Sequence, residues 1–112
     1  MKFLLILISL LLATSAQAST LLWDRNTETD LKDYQVYGCF AKGCTVTKTS
    51  TFLGTVLQPA VGVIPSLTVN LNGQEGALAV SARDISGNES LLSVPLPFDV
   101  NPPTAPANLH FQ

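Results

Sequence analysis

The stretch Gly76–Ser90, G-A-L-A-V-S-A-R-D-I-S-G-N-E-S, constrains the fold more than any other part of the chain. Leu78, Val80 and Ala82 fall on one face of an extended backbone, because strand side chains alternate with a period of two. The alternation then breaks into D-I-S-G-N, a turn cluster in which Gly87 is free to take positive φ. A second apolar run starts at Ser90. Core strand, tight turn and return strand can be read from residue types alone. No stretch beyond the first 18 residues sustains a helical period, so the expected class is all-β.

Those first residues read as an address. Met1-Lys2 is a positive start, Phe3 to Ala13 is apolar apart from Ser9, and Ala16-Gln17-Ala18 is a small-x-small cleavage site. This pattern predicts a signal peptide over 1–18, cut between Ala18 and Ser19. The apolar run falls short of the about 20 residues a membrane span needs. No Cys follows the cut, so a lipid anchor is not expected, nor any membrane association after cleavage. The expected location is secreted or extracellular, with the periplasm as the alternative for a bacterial product.

The remainder, Ser19 to Gln112, is enough for one small domain with one core. Without Lys2, five basic residues face eight acidic ones, a net charge of −3. That balance argues against nucleic acid or an anionic membrane as partner. Cys39 and Cys44 are the only cysteines. In an oxidising compartment they are expected to form a disulfide across a hairpin tip, the alternative being two free thiols. Two cysteines alone lack the further ligands of a zinc site.

The remaining strands follow by the same alternation. In Thr20-Leu21-Leu22-Trp23, Leu21 and Trp23 share a face, and Trp23 is expected in the core. Arg25 to Asp33 is polar and turn-rich, with Leu31 its apolar anchor. Tyr34 and Val36 face one way, Gln35 and Tyr37 the other. The Thr-rich run Thr45–Leu57 is expected to be extended. Gln58–Pro65, with two prolines and a glycine, is expected to be a loop. In Ser66–Leu71 the residues Leu67, Val69 and Leu71 point inward, and Asn72-Gly73 is a turn signal.

Two of these stretches resemble the fibronectin type III domain. Its B strand with a core Trp, a B–C loop written N-x-E-x-D-L-x-x-Y and its C strand match Trp23–Tyr37. Its F strand and F–G turn match Val80–Ser90, especially the bacterial form with D-x-S-G-N-E-S. The resemblance covers most of Leu21 to Val100 and implies an immunoglobulin-like β-sandwich over 19–100, with strands B, C, C′, E, F and G in order and G spanning Leu91–Val100. One departure stands out. The family carries a Tyr where this chain has Gly76, and that Tyr pins the E–F corner; its absence implies a looser corner.

The resemblance also implies a permuted unit. Ser19 runs straight into strand B, leaving no A strand ahead of it. Strand B would then be an open edge, with Leu21 and Trp23 as the acceptor. Residues 101–112, N-P-P-T-A-P-A-N-L-H-F-Q, look like an A strand with its proline-rich lead. Ala107, Leu109 and Phe111 would be the inward residues of this donor strand. Three readings stand open: the tail completes its own domain, it enters the next molecule head to tail and builds a filament, or it is a remnant with no partner.

Catalytic chemistry is not expected. His110 is the only histidine and lies in the tail, so no Ser-His-Asp or Cys-His pair can be assembled around it with conviction. Asp24, Asp30 and Asp33, and separately Asp84 and Glu89, read as solvated turn carboxylates rather than a calcium site. Asn88-Glu89-Ser90 spells a glycosylation acceptor, and a turn Asn explains it equally well. No cofactor or metal is expected. The expected role is a secreted, non-catalytic structural subunit whose partner is itself. The alternative is a monomeric adhesion module binding a cell-surface protein or glycan through Tyr37, Phe40 or Phe52, with Phe40 foremost.

Overall fold

The computed structural model of the chain describes residues 18–71 and 74–112. Residues 1–17, which hold most of the expected signal peptide, and Asn72-Gly73, the expected turn, lie outside the described residues. Six strands run in order: β1 (Ala18–Leu22), β2 (Leu31–Cys39), β3 (Thr51–Leu57), β4 (Ser66–Asn70), β5 (Glu75–Asp84) and β6 (Leu96–Asp99). They form two antiparallel sheets, β1-β4 and β3-β2-β5-β6. The all-β expectation is met, and the two sheets face each other across the main core, while Tyr37, Val46, Ala77 and Ala79 form a smaller buried cluster on the outer face of the four-stranded sheet.

Alternation decides what enters that core. Leu21 of β1, Val36 of β2, Val69 of β4, Leu71 just after β4, and Leu78 of β5 are buried together, with Trp23, Leu53, Leu67, Val80 and Phe98 packed around them. Leu21, Trp23, Leu67, Val69, Leu71, Leu78 and Val80 are among the residues expected to share the inward faces, whereas Ala82 is not in the cluster and Leu53 and Phe98 join it without having been expected. On the same face Tyr34 is almost fully buried, and its ring meets Trp23 edge-on at 5.4 Å between centroids. Its hydroxyl accepts from Asn26 N at 2.8 Å and donates to Gln58 Oε1 at 2.8 Å, tying the two loops beside it.

Three boundaries differ from expectation, each for a local reason. β1 ends at Leu22, so Trp23 stands just beyond it, its N–H donated to Pro65 O at 3.3 Å. β3 begins only at Thr51, because Thr47–Ser50 forms a turn. There the Ser50 hydroxyl accepts from Thr47 N at 2.9 Å and Thr47 Oγ1 from Thr49 N at 3.3 Å, local bonds that compete with a ladder. β6 covers Leu96–Asp99 rather than the whole of Leu91–Val100. Upstream of it the Ser90 and Ser93 hydroxyls accept from Ala82 N and Val80 N, at 2.9 and 3.0 Å, in place of main-chain carbonyls.

The looser corner expected from Gly76 turns on Asn72-Gly73, outside the described residues, but Gly76 itself has a reason to lack a side chain. A side chain there would run into the carbonyl of Cys39, with Phe40 Cα also close. Absence of a side chain lets β5 press against the end of β2, where the Cys39–Cys44 disulfide closes the hairpin tip with 6.2 Å between Cα atoms.

Candidate functional site

β1 pairs with β4 along one edge, and its other edge is unpaired among the described residues. An apolar cleft of about 290 Å³ opens beside that edge, between β1 and β6. Leu21, Val69, Leu71 and Leu78 form its floor, and Leu96, Phe98 and Val100 its far wall. Farther along, past Trp23, a second opening lies between Trp23 and the Ser90–Ser93 segment, with Val80, Ser81 and Ala82 at its base. Asp24, Asn26, Tyr34 and Leu91 also line this end. Trp23 Nε1 is buried and has no hydrogen-bond partner among the described residues. Leu21 and Trp23, expected as the acceptor edge, thus share one core and flank one open side of the sandwich.

The expected donor residues lie elsewhere. Residues 101–112 are exposed throughout, and Leu109 and Phe111 are 97% and 102% accessible. The tail forms no strand, and Asn108 takes φ 57°, which breaks the alternation between Ala107 and Leu109. Asn tolerates that left-handed geometry better than most residues. The His110 ring Nδ1 sits 2.7 Å from Asn108 O. An extended segment with no partner leaves its own N–H and C=O groups unpaired, so a single strand has no reason to hold its form. The structure does not bring Ala107, Leu109 and Phe111 to Leu21 and Trp23 within one chain.

The outer face of the four-stranded sheet holds a polar group that corrects the reading of Asp33 as a solvated turn carboxylate, since Asp33 lies in β2 and is buried. Register sets Asp33 opposite Arg83 and Gln35 opposite Ser81. Arg83 donates from Nε to Asp33 Oδ1 at 3.0 Å and from Nη2 to Oδ2 at 2.7 Å, while Gln35 Nε2 donates to Oδ1 at 3.1 Å. The Arg83 guanidinium holds the Asp33 carboxyl below its ordinary range, against the opposing effect of burial. Beside it, Glu89 accepts from the hydroxyls of Ser81 and Tyr37 and lies 3.8 Å from Lys48 Nζ. The Ser81 bond, ahead of Tyr37, lowers the Glu89 carboxyl; burial raises the Tyr37 phenol. Alternation alone hinted at this face, since Asp33, Gln35 and Tyr37 all point away from Tyr34 and Val36.

Asp84 serves the turn. Asp84 accepts from Ser86 N at 3.0 Å and Asn88 N at 2.9 Å, and its other oxygen from Asn88 Nδ2 at 3.1 Å. The Asn88 side chain is the main reason its carboxyl is lowered. Among the described residues no group of three His, Cys, Asp or Glu is placed to hold a metal. No helix of the described residues is long and apolar enough to cross a membrane.

Of the three aromatics expected as a loop platform, Tyr37 is buried and stacks edge-on with Phe52 at 5.7 Å. Phe40 is half-buried, packs against Phe98 at 5.7 Å behind the cleft wall, and lines a shallow opening with Lys42 and Glu75. Only Phe52 is exposed. Comparison with known proteins finds no matching family model, no similar curated protein and no similar solved structure.

Proposed function

We propose that this chain is a secreted, non-catalytic structural subunit that assembles by donating residues 107–111 to the open side of a second copy. The unit is read as a fibronectin type III-like sandwich in which β1 to β6 take the places of B, C, C′, E, F and G. The strand that would pair the free edge of β1 is then supplied by the tail of a neighbour. One observation carries the reading: the free β1 edge borders a cleft lined by Leu21, Leu71, Leu78 and Phe98, while Leu109 and Phe111 are wholly exposed.

The energetics favour such a union. Burying a Leu or Phe side chain contributes about 1.5–3 kcal/mol each, and pairing to β1 satisfies main-chain groups on both strands. A cleft of about 290 Å³ exceeds the about 150 Å³ that accepts a benzene ring. The Cys39–Cys44 bridge stiffens the hairpin at one end of the assembly. Secretion rests on the leader pattern and accords with the disulfide.

Light scattering and negative-stain microscopy on the protein, beside L109D/F111D, test this. Assemblies from the parent chain and monomers from the variant are the expected pair of results. Assemblies that survive the double substitution overturn the donor reading. A second reading, a monomeric module docking an apolar protein surface, draws on the exposed Val61, Val63 and Ile64 of the β3–β4 loop. It requires the parent chain to be a monomer.

A further inference from the structure

Residues 40–50 join β2 to β3, a longer link than the about 2–5 residues that close most hairpins. The excess does not loop into solvent. Alternation turns Cys39 to the same outer face of the sheet as Tyr37, and its bond to Cys44 brings the returning chain back over that face. Two residues on, Val46 is buried against Tyr37, Ala77 and Ala79, with Cys39 and Leu92 packed at the margin. Part of a face that a sandwich ordinarily turns to water thus lies under a strap.

The strap holds the sheet by few contacts. Among the described residues, every hydrogen bond of residues 41–50 closes within the segment. Cys44 N donates to Ala41 O at 3.2 Å and Ser50 N to Thr47 O at 3.0 Å. The hydroxyls of Thr47, Thr49 and Ser50 bond one another and the N–H groups of their own turn. What ties the segment to the sheet is the Cys39–Cys44 bond, the Val46 side chain, and Lys48 Nζ at 3.8 Å from Glu89. The Lys48 side chain is partly exposed, so its ion pair contributes little. One apolar side chain and one such pair do not offset the entropy lost in ordering the segment.

We propose that Cys39–Cys44 is a redox latch, whose reduction releases residues 41–50 from the outer face and bares Tyr37, Ala77 and Ala79 while the sandwich beneath stays folded. The bond is within reach of solvent, for Ala41, Lys42, Gly43 and Thr45 around Cys44 are exposed. An external dithiol opens it by exchange. One thiolate attacks a sulfur of the bridge, the second thiolate resolves the mixed disulfide, and the dithiol leaves oxidised with Cys39 and Cys44 as thiols. The main core lies on the opposite face, where Leu21, Val36, Val69 and Leu78 pack without any residue of the strap. Release also takes Lys48 from Glu89, which keeps its bonds from Tyr37 and Ser81. This device is separate from the assembly reading, whose cleft lies between β1 and β6.

Two measurements on the whole chain test it. Amide exchange is compared with and without dithiothreitol, and nitration by tetranitromethane is compared between the oxidised parent and C39S/C44S, which has no thiol to consume the reagent. The chain has two tyrosines, Tyr34 and Tyr37, both buried. The expected result is that the parent resists nitration and that C39S/C44S reacts at Tyr37 alone. On reduction the amides of residues 44–50 lose protection, and those of Val36 and Leu78 keep theirs. Nitration of Tyr34 together with Tyr37, or lost protection at Val36 and Leu78, means global unfolding and overturns the latch. A bond that dithiothreitol leaves intact in the folded chain overturns it too, as does a C39S/C44S protein whose Tyr37 stays unreactive.

Discussion

Arg83 grips Asp33 with two parallel hydrogen bonds across β2 and β5, at 3.0 and 2.7 Å, on the face of the sheet turned away from the core. The Asp33 side chain is 2% exposed and the Arg83 side chain 35%. A carboxylate so placed is held by charge-assisted bonds whose geometry the fork of the guanidinium matches. Asp33→Ala leaves Gln35 and Arg83 without their acceptor. The expected cost is about 2 kcal/mol, read from urea denaturation. Asp33→Asn retains part of the bonding and is expected to lose less.

The same face makes stability depend on pH at both ends. Asp33 and Glu89 have carboxyls lowered in the folded state, by Arg83 and by Ser81 respectively. Below their ordinary range the unfolded chain therefore binds more protons than the folded one, and stability falls as pH falls. The expected profile is flat above about pH 5 and declines below about pH 4. Burial raises the Tyr37 phenol, so the unfolded chain loses that proton first and stability also declines above about pH 10. Thermal melts across pH check both limbs. D33N/E89Q is expected to reduce the acid limb, leaving the part due to Asp84, and Tyr37→Phe to flatten the alkaline one.

Gly76→Ala is expected to destabilise the protein by about 3 kcal/mol, the upper range for overpacking. A Cβ at this position meets backbone, the Cys39 carbonyl, and not the movable end of a side chain. Ala elsewhere on β5 offers the control: Ala79→Gly tests ordinary loss of packing. A Gly76→Ala protein as stable as the parent, by denaturant midpoint, contradicts the close approach of β5 to the hairpin tip.

Reduction of the Cys39–Cys44 bond is expected to cost about 2 kcal/mol, because a short loop gains little from closure. Denaturation with and without a reductant measures it. C39S/C44S is expected to match the reduced parent, since neither sulfur has another covalent partner.

The alternating stretches were legible because a strand's two faces follow from nearest-neighbour chemistry. Spacing alone puts Val69 and Leu71 inward and sets Val36 with Tyr34, and Leu78 with Val80, on shared faces, and all lie in or against the core. The boundaries of β3 and β6 were less legible. Thr47, Ser50, Ser90 and Ser93 use their hydroxyls on nearby backbone, and spacing does not reveal which hydroxyl will do so.

Leu21 and Trp23 were legible as residues of one apolar face. The shape of the cleft beside them was not, for Phe98 and Val100 reach it from the far end of the chain. Gly76 was visible as an odd residue, and its reason lay in Cys39, a neighbour only after β2 and β5 pair.

The chain's local pattern thus carried its strand content, its inward residues and its disulfide, since each depends on residues a few positions apart. Pairing of Asp33 with Arg83, the side of the sandwich left open, and the burial of the Trp23 indole were decided in three dimensions. Each depends on register between strands distant in sequence, where a shift of one residue turns every side chain to the opposite face.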